Sequence, residues 1–326
     1  MSIAKLIPVI MDGKKTSYTF DFTGLSDGAL PSPLTGSTWT IASGAALNTP
    51  TMGANIIAAG KGVFTSDIES WAALGGNLVT NDGGELKIVY VDTAGGALLN
   101  LIPEAEFSAV PVVNERYRFE FDGRVNAGGN VSVTFRSEAL YYNSQSITST
   151  VKSTYSLTLL NHGAVAREIN ISLFGAGETT WLDNLKLYQL TSSDLFASIA
   201  MPMPATFDMK AAATGALAST QAGVWVGDGA NPTNYIMATC ERAKVALWKK
   251  VGSTISVVYS TNTAYVAGAL IELRRTAATT YQLWYNGSQI GTNQTISDAG
   301  LLACTHVGLY STRSDTTFAN FSIERL

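Results

Sequence analysis

The stretch Arg116-Tyr-Arg-Phe-Glu-Phe-Asp122 decides the fold class. Tyr117, Phe119 and Phe121 alternate with Arg118, Glu120 and Asp122, so an extended chain sends three rings one way and three charges the other. A helix would scatter the same residues around its circumference. The alternation recurs along the chain. Val131, Val133 and Phe135 repeat it, with Ser132 and Thr134 between them. Tyr155-Leu157-Leu159, Ile169-Ile171-Leu173, Ile255-Val257-Tyr259 and Tyr281-Leu283-Tyr285 follow the same rule. Turn signals separate these runs at Asn81-Asp-Gly-Gly84, Asn126-Ala-Gly-Gly-Asn130 and Gly175-Ala-Gly177. Asn286-Gly287 lies between two alternating runs and predicts a tight hairpin. The segment Lys210 to Ala218 has a helix-friendly composition, but Gly215 interrupts it. Many short strands with Gly-rich turns predict an all-β protein: two antiparallel sandwich or jelly-roll domains with very little helix.

Composition narrows the occupation. Of 326 residues only 14% are charged, against roughly 25% in ordinary domains. With 21 basic and 25 acidic residues there is no positive excess to neutralise phosphates, so no nucleic-acid partner is expected. Two His and two Cys exclude an ordinary zinc site. No window approaches the ~20 apolar residues of a membrane span, so no membrane insertion is expected. The run Leu6 to Met11 is broken by Pro8 and is too short for a secretory leader. Cys240 and Cys304 could pair only where the fold brings them together; manufacture in a reducing cytoplasm predicts two free buried thiols. In that setting Asn286-Gly-Ser and Asn293-Gln-Thr are not glycosylation sites. Ser and Thr on outward strand faces hydrogen-bond water without charge, a surface suited to lying against neighbours.

Residues about 53 to 190 resemble a carbohydrate-binding-module jelly roll. The resemblance is carried by Asn55-Ile-Ile-Ala-Ala-Gly-Lys-Gly-Val-Phe64, Trp71, Asp82-Gly-Gly-Glu-Leu-Lys-Ile88, Tyr117-Arg-Phe-Glu-Phe121 and the closing Trp181-Leu-Asp-Asn-Leu-Lys-Leu187. It implies a structural calcium ligated by Asp183, with Asp67, Glu69 and Asp122 as co-ligands by residue type; no other cofactor is implied. Residues about 200 to 326 resemble a concanavalin A-like, laminin-G-type sandwich. There the matching parts are Leu247-Trp-Lys-Lys, Ile271-Glu-Leu-Arg-Arg275, Tyr281-Gln-Leu-Trp-Tyr-Asn-Gly-Ser288, Val307-Gly-Leu-Tyr310 and Phe318-Ala-Asn-Phe-Ser-Ile323. Ala319 stands where relatives commonly carry Asp.

The opening of such a domain is resembled by Phe20-Asp-Phe-Thr-Gly-Leu-Ser-Asp-Gly28 and Gly36-Ser-Thr-Trp39 instead. The expected organisation is therefore an arm at 1–14, a discontinuous sandwich from 15–52 plus 191–326, and a jelly roll inserted at 53–190. Two domains in series behind an amino-terminal arm is the alternative. The inserted stretch holds 9 basic and 14 acidic residues against 12 and 11 elsewhere, so two bodies with different surroundings are expected.

No catalytic constellation is evident. His162 sits in a turn-like Leu160-Asn-His-Gly163, and His306 reads as a strand-edge residue. No Gly-x-Ser-x-Gly elbow, P-loop or dinucleotide fingerprint occurs. Glycoside hydrolysis needs two carboxyls across a groove, and Glu104-x-Glu106 and Asp67-x-Glu69 lie in the wrong segment for it. Trp71 matches a core position of the family it resembles. Tyr141, Tyr142 and Trp284 are the candidate glycan-contacting aromatics; the two tyrosines point to opposite faces if that stretch is a strand. The texture as a whole resembles bacteriophage virion proteins as a class. It implies a non-enzymatic head-decoration, fibre or tail-associated protein of the virion, assembled in the host cytoplasm. Its partners would be other virion proteins or copies of itself, with cell-surface glycans as ligands. The alternatives are a carbohydrate-binding accessory module of a secreted bacterial protein and, third, a glycoside hydrolase or lyase.

Overall fold

A computed structural model describes residues 9–11, 14–68, 77–91, 97–100, 107–138, 141–161, 168–173, 177–215, 221–241 and 244–326. It is an all-β protein of antiparallel sheets. Among the described residues the helical content is one turn, Ala299–Leu302, and a 3-10 turn, Ser192–Leu195. No helix is long and apolar enough to cross a membrane. The chain forms two compact units, Met1–Thr51 with Thr191–Leu326, and Met52–Leu190.

The first unit is a sandwich. Ten described strands make one sheet, in which Phe207–Gly215 lies between Leu270–Ala277 and Thr316–Arg325. Strand Lys14–Asp21 pairs with the last strand, Tyr18 opposite Ile323 and Phe20 opposite Phe321. Val9–Met11 pairs with Lys14–Asp21, so this part of the expected arm belongs to the sheet. A six-stranded sheet faces it, and one core of Phe20, Met209, Ile271, Leu273, Phe321, Val224, Ile236, Leu247 and Leu309 fills the space between.

The alternation expected at Tyr281, Leu283 and Tyr285 is present, each at most 4% exposed. Asn286 and Gly287 take φ of 49° and 77° and close a two-residue hairpin between Tyr285 and Ser288. The helix-friendly stretch at Lys210 is a strand instead. Its alanines at 211 and 213 are buried, and small side chains in mid-sheet let flanking strands and the facing sheet close in, which overrides helix propensity.

Strands Ala222–Gly227 and Tyr235–Glu241 of the six-stranded sheet are buried on both faces. Phe196 packs its ring 4.8 Å from Trp225, 5.4 Å from Tyr235 and 5.3 Å from Tyr310 on the face away from that core. The Trp225 indole N–H donates to the carbonyls of Ala197 and Leu309. Glycine at 308 is required, because a Cβ there would sit 1.8 Å from the Ala197 oxygen.

The second unit has its own core of Leu86, Ile88, Tyr117, Phe119, Phe121, Val131, Val133, Leu157, Leu182 and Leu187. Strand Arg116–Val125 lies between Ser153–Leu160 and Thr179–Leu190, and its burial alternates as its sequence does. A second, four-stranded sheet is built around Val131–Glu138. The chain leaves and rejoins the first unit at neighbouring residues: the Thr191 N–H donates to the Thr51 carbonyl at 3.2 Å, and the Thr51 N–H to Asp194 at 3.3 Å.

Candidate functional site

The outward face of the ten-stranded sheet is assembled by register. Leu273 and Ile271 point into the core, so Glu272 and Arg274 between them point out. Across the ladders Asp208 lies opposite Arg274 and Lys210 opposite Glu272 on one side. On the other, Gln282 faces Arg274 and Trp284 faces Glu272. The hairpin at Asn286-Gly287 then sets Gln289 opposite Trp284. Four strands thereby place one aromatic ring, two carboxylates, two cations and a row of amides on a single surface.

Charge on this face is paired two and two. The Arg274 guanidinium donates to Glu272 Oε2 at 2.8 Å and approaches Asp208 Oδ1 at 3.3 Å. Lys210 Nζ lies 3.3 Å from the other Asp208 oxygen. Both carboxylates are nearly covered, Asp208 6% and Glu272 3% exposed. Such burial is tolerable only with partners. The indole of Trp284, half-buried, has the Arg274 guanidinium carbon 3.9 Å from its ring centroid. Its N–H donates to Gln282 Oε1 at 2.9 Å. The Gln282 amide donates to Asn293 Oδ1 at 2.9 Å, and Gln289 donates to the same oxygen at 3.2 Å. Neither N–H of the Asn293 amide is used, and that residue is exposed.

The second unit carries an analogous but closed arrangement. Trp181 lies between Arg124 and Lys87 in register, with Arg124 4.1 Å and Lys87 Nζ 5.6 Å from its ring centroid. Its N–H donates to Asp82 at 2.9 Å, and Arg124 is held by Glu85 at 2.6 Å. With a cation on each side, this ring is part of an ion-pair ladder.

Asp183 lies in the same ladder and does not form a calcium site. Its Oδ2 is 2.7 Å from Lys152 Nζ, and its Oδ1 accepts the Asn184 N–H at 2.8 Å. Lys152 also reaches Glu85 at 3.4 Å. Asp122, the residue across from Asp183, accepts from Thr154 and Asn184, each at 2.7 Å. Burial pushes Asp122 up, but those hydrogen bonds with the Lys152 and Lys186 charges hold it below the ordinary carboxylate value. Calcium needs six to eight oxygens, and the Asp183 carboxylate is turned to the Lys152 ammonium instead. The described residues do not fit the metal. Among the described residues no three His, Cys, Asp or Glu side chains converge on a cation position.

The other expected positions separate. Tyr141 and Tyr142 begin strand Tyr141–Ile147, opposite Glu138 and Arg136; their side chains lie outside the described residues. Trp71, Glu69, Glu104, Glu106 and His162 lie outside them as well. Asp67 is exposed in a loop. His306 starts strand His306–Ser311, as a strand-edge residue should. Its Nδ1 is 3.0 Å from Thr305 Oγ1, and burial lowers its pKa although the Asp228 charge opposes this. Cys240 and Cys304 are free and buried, each thiol pushed up to about 12 chiefly by burial. Sequence reasoning singled out Trp284 but missed Glu272, Arg274, Asp208 and Gln282. The signal was available in Ile271-Glu-Leu-Arg-Arg275, whose alternation puts Glu272 and Arg274 on one face; the register to Asp208 was not.

No family model and no curated protein matches the chain. Solved structures do. The carbohydrate-binding module CBM66 from Bacillus subtilis is 13% identical over 42% of this chain and 83% of its own, with a TM-score of 0.29. Sheep galectin-11 in complex with glycerol is 13% identical over 39% of this chain and 96% of its own, TM-score 0.31. The N-terminal CBM22-1-CBM22-2 tandem domain from Paenibacillus barcinonensis Xyn10C is 9% identical over 85% of this chain and 98% of its own, TM-score 0.34. Likenesses this distant assign no ligand; Trp284 and its neighbours have to carry that inference.

Proposed function

We propose that this chain is a non-catalytic saccharide-binding protein whose ligand lies against Trp284 on the outward face of the ten-stranded sheet. One observation carries the reading. A half-buried indole is held by the Arg274 stack at 3.9 Å and the Gln282 hydrogen bond at 2.9 Å, beside an exposed amide with both N–H groups unused. Sugar rings stack C–H faces on fixed aromatics while a few placed polar groups select their hydroxyls. A rigid ring has already lost the rotamer freedom that binding would otherwise cost. The two carboxylates beside Trp284, Glu272 and Asp208, are both engaged by Arg274, whereas a glycosidase needs one carboxyl disposed to protonate a leaving oxygen. Affinity electrophoresis through gels containing soluble polysaccharides tests the reading. The native chain is expected to be retarded by at least one of them, and Trp284→Ala to run as in a blank gel. Equal retardation of both would refute it.

A second reading is favoured by a different observation. Strands Thr254–Asn262 and Ser288–Thr295 are the adjacent edges of the two sheets of the first unit, and neither holds a charged residue. Charges and prolines commonly guard free edges. Bare ones suit a chain packed against copies of itself or other proteins, as in the virion accessory role, particle location and cytoplasmic assembly that the resemblance to bacteriophage virion proteins implies. Light scattering of the purified chain across a concentration series tests it, with self-association expected and a monomer throughout counting against it.

A further inference from the structure

We infer that the Trp284 face selects neutral saccharides and rejects those carrying carboxylate, sulfate or ammonium groups. The inference rests on the reading of Trp284 as the saccharide platform and adds the ligand's charge class.

The argument is one of pairing. Every charge within reach of the ring already has its counter-charge: Arg274 with Glu272 and Asp208, and Lys210 with Asp208. An anionic sugar could gain a cation here only by drawing Arg274 or Lys210 away from a carboxylate that is 3% or 6% exposed. Losing Arg274 would strip Glu272 of its cation, and losing either cation would leave the buried Asp208 with one partner instead of two; a buried carboxylate stripped of its partner costs more than the new contact supplies. A cationic sugar meets the converse obstacle, since Glu272 and Asp208 are covered by the cations they hold. Hydroxyl groups face neither obstacle. Gln282, Gln289 and Asn293 are uncharged, and an amide both donates to and accepts from a hydroxyl. The contrast with Trp181 supports the assignment of the open ring. There a cation stands on each side of the indole, at 4.1 and 5.6 Å.

The test uses the full chain in affinity gels at pH 7. The neutral probes are xylan, galactan and mixed-linkage glucan. Polygalacturonate and alginate are the anionic probes, and soluble chitosan the cationic one. Retardation by a neutral polymer at a concentration at least tenfold below that needed with any charged one, lost in Trp284→Ala, is the expected result. Retardation by a charged polymer equal to or stronger than by the neutral ones, also lost in Trp284→Ala, would overturn neutrality and leave the platform standing. No retardation sensitive to Trp284→Ala with any polymer would overturn both. Two charge variants add a gain of function. Glu272→Gln and Asp208→Asn each leave the four-charge cluster with one positive charge in excess, and whichever retains a cooperative melt is expected to acquire retardation by polygalacturonate. A folded variant that acquires none refutes the pairing argument.

Discussion

Replacing Lys152 with methionine removes one cation of the second unit's ion-pair ladder, the one that joins Asp183 to Glu85, while keeping the side chain's length. The consequence can be worked from the geometry. Asp183 loses a partner at 2.7 Å and keeps only the Asn184 N–H, whereas Glu85 loses one at 3.4 Å but retains Arg124 at 2.6 Å. The cost is therefore mainly that of Asp183, whose side chain is 13% exposed, opposite a lysine that is 39% exposed. Exposed pairs are worth about 0.2–1 kcal/mol, and breaking a buried pair from one side costs about 3–5 kcal/mol. With the lysine this well solvated, we expect about 1–2 kcal/mol, a fall in Tm of roughly 3–7 °C for a unit of this size. The pH dependence has a definite sign. Burial lowers the Lys152 pKa, but Asp183 and Glu85 raise it overall, so its contribution is present below the ordinary lysine range and fades as pH rises through the raised value. Asp122 is held low, so its contribution is present above the ordinary carboxylate range and fades as pH falls through the lowered one. Calorimetry of native chain and Lys152→Met should therefore show the full difference near pH 7 and a smaller one in strong acid. A variant within 1 °C of the native chain at pH 7 would refute the ladder's role. A native Tm lowered by EDTA or raised by calcium would show that a metal, not Lys152, is the resident cation.

Gly308→Ala should abolish folding or lower Tm by more than 10 °C, because its Cβ meets the Ala197 carbonyl. Gly229→Ala, with nothing within 4 Å of its Cβ, should melt like the native chain, and equal melts for the two would refute the packing argument. Neither thiol should react with Ellman's reagent at pH 8 in the native chain, since Cys240 is 6% and Cys304 3% exposed and both ionise only near 12; both should react in guanidinium. Asp228 accepts from both Thr233 and Asn234, through backbone and side chain alike. Burial raises its pKa, but these bonds lower it overall. Asp228→Asn should cost about 1 kcal/mol at pH 7, a deficit that vanishes as pH falls through the lowered value. A deficit that persists in acid would assign the loss to loop geometry instead.

The strand alternation was legible because a period of two needs no tertiary information: Tyr117, Phe119 and Phe121 are at most 1% exposed. Lys210–Ala213 was not legible as a strand. Alanine reads as a helix former in isolation, and only the packed sheet rewards its small size. Trp284 could be picked out as an aromatic residue in an alternating run. Its neighbours could not, because Asp208 lies 66 positions from Arg274 and only the ladder between their strands brings them together. Asp183 shows the opposite failure. The motif around it could be read, but the competing charge came from Lys152 on a different segment, and no spacing rule joins the two.

The pairing of Phe20 with Phe321 also dictates an order of events during synthesis. Strand Lys14–Asp21 leaves the ribosome long before Thr316–Arg325, the strand it needs before it can take its place in the sheet. Every residue of the second unit, 52–190, has by then been in hand for over a hundred residues. Domains that close early fold early, and contacts distant in sequence form slowly. The inserted unit is thus expected to be complete while the flanking one still exposes Tyr18, Phe20 and Phe22 to water, and it is the outer sandwich that would need a chaperone's protection.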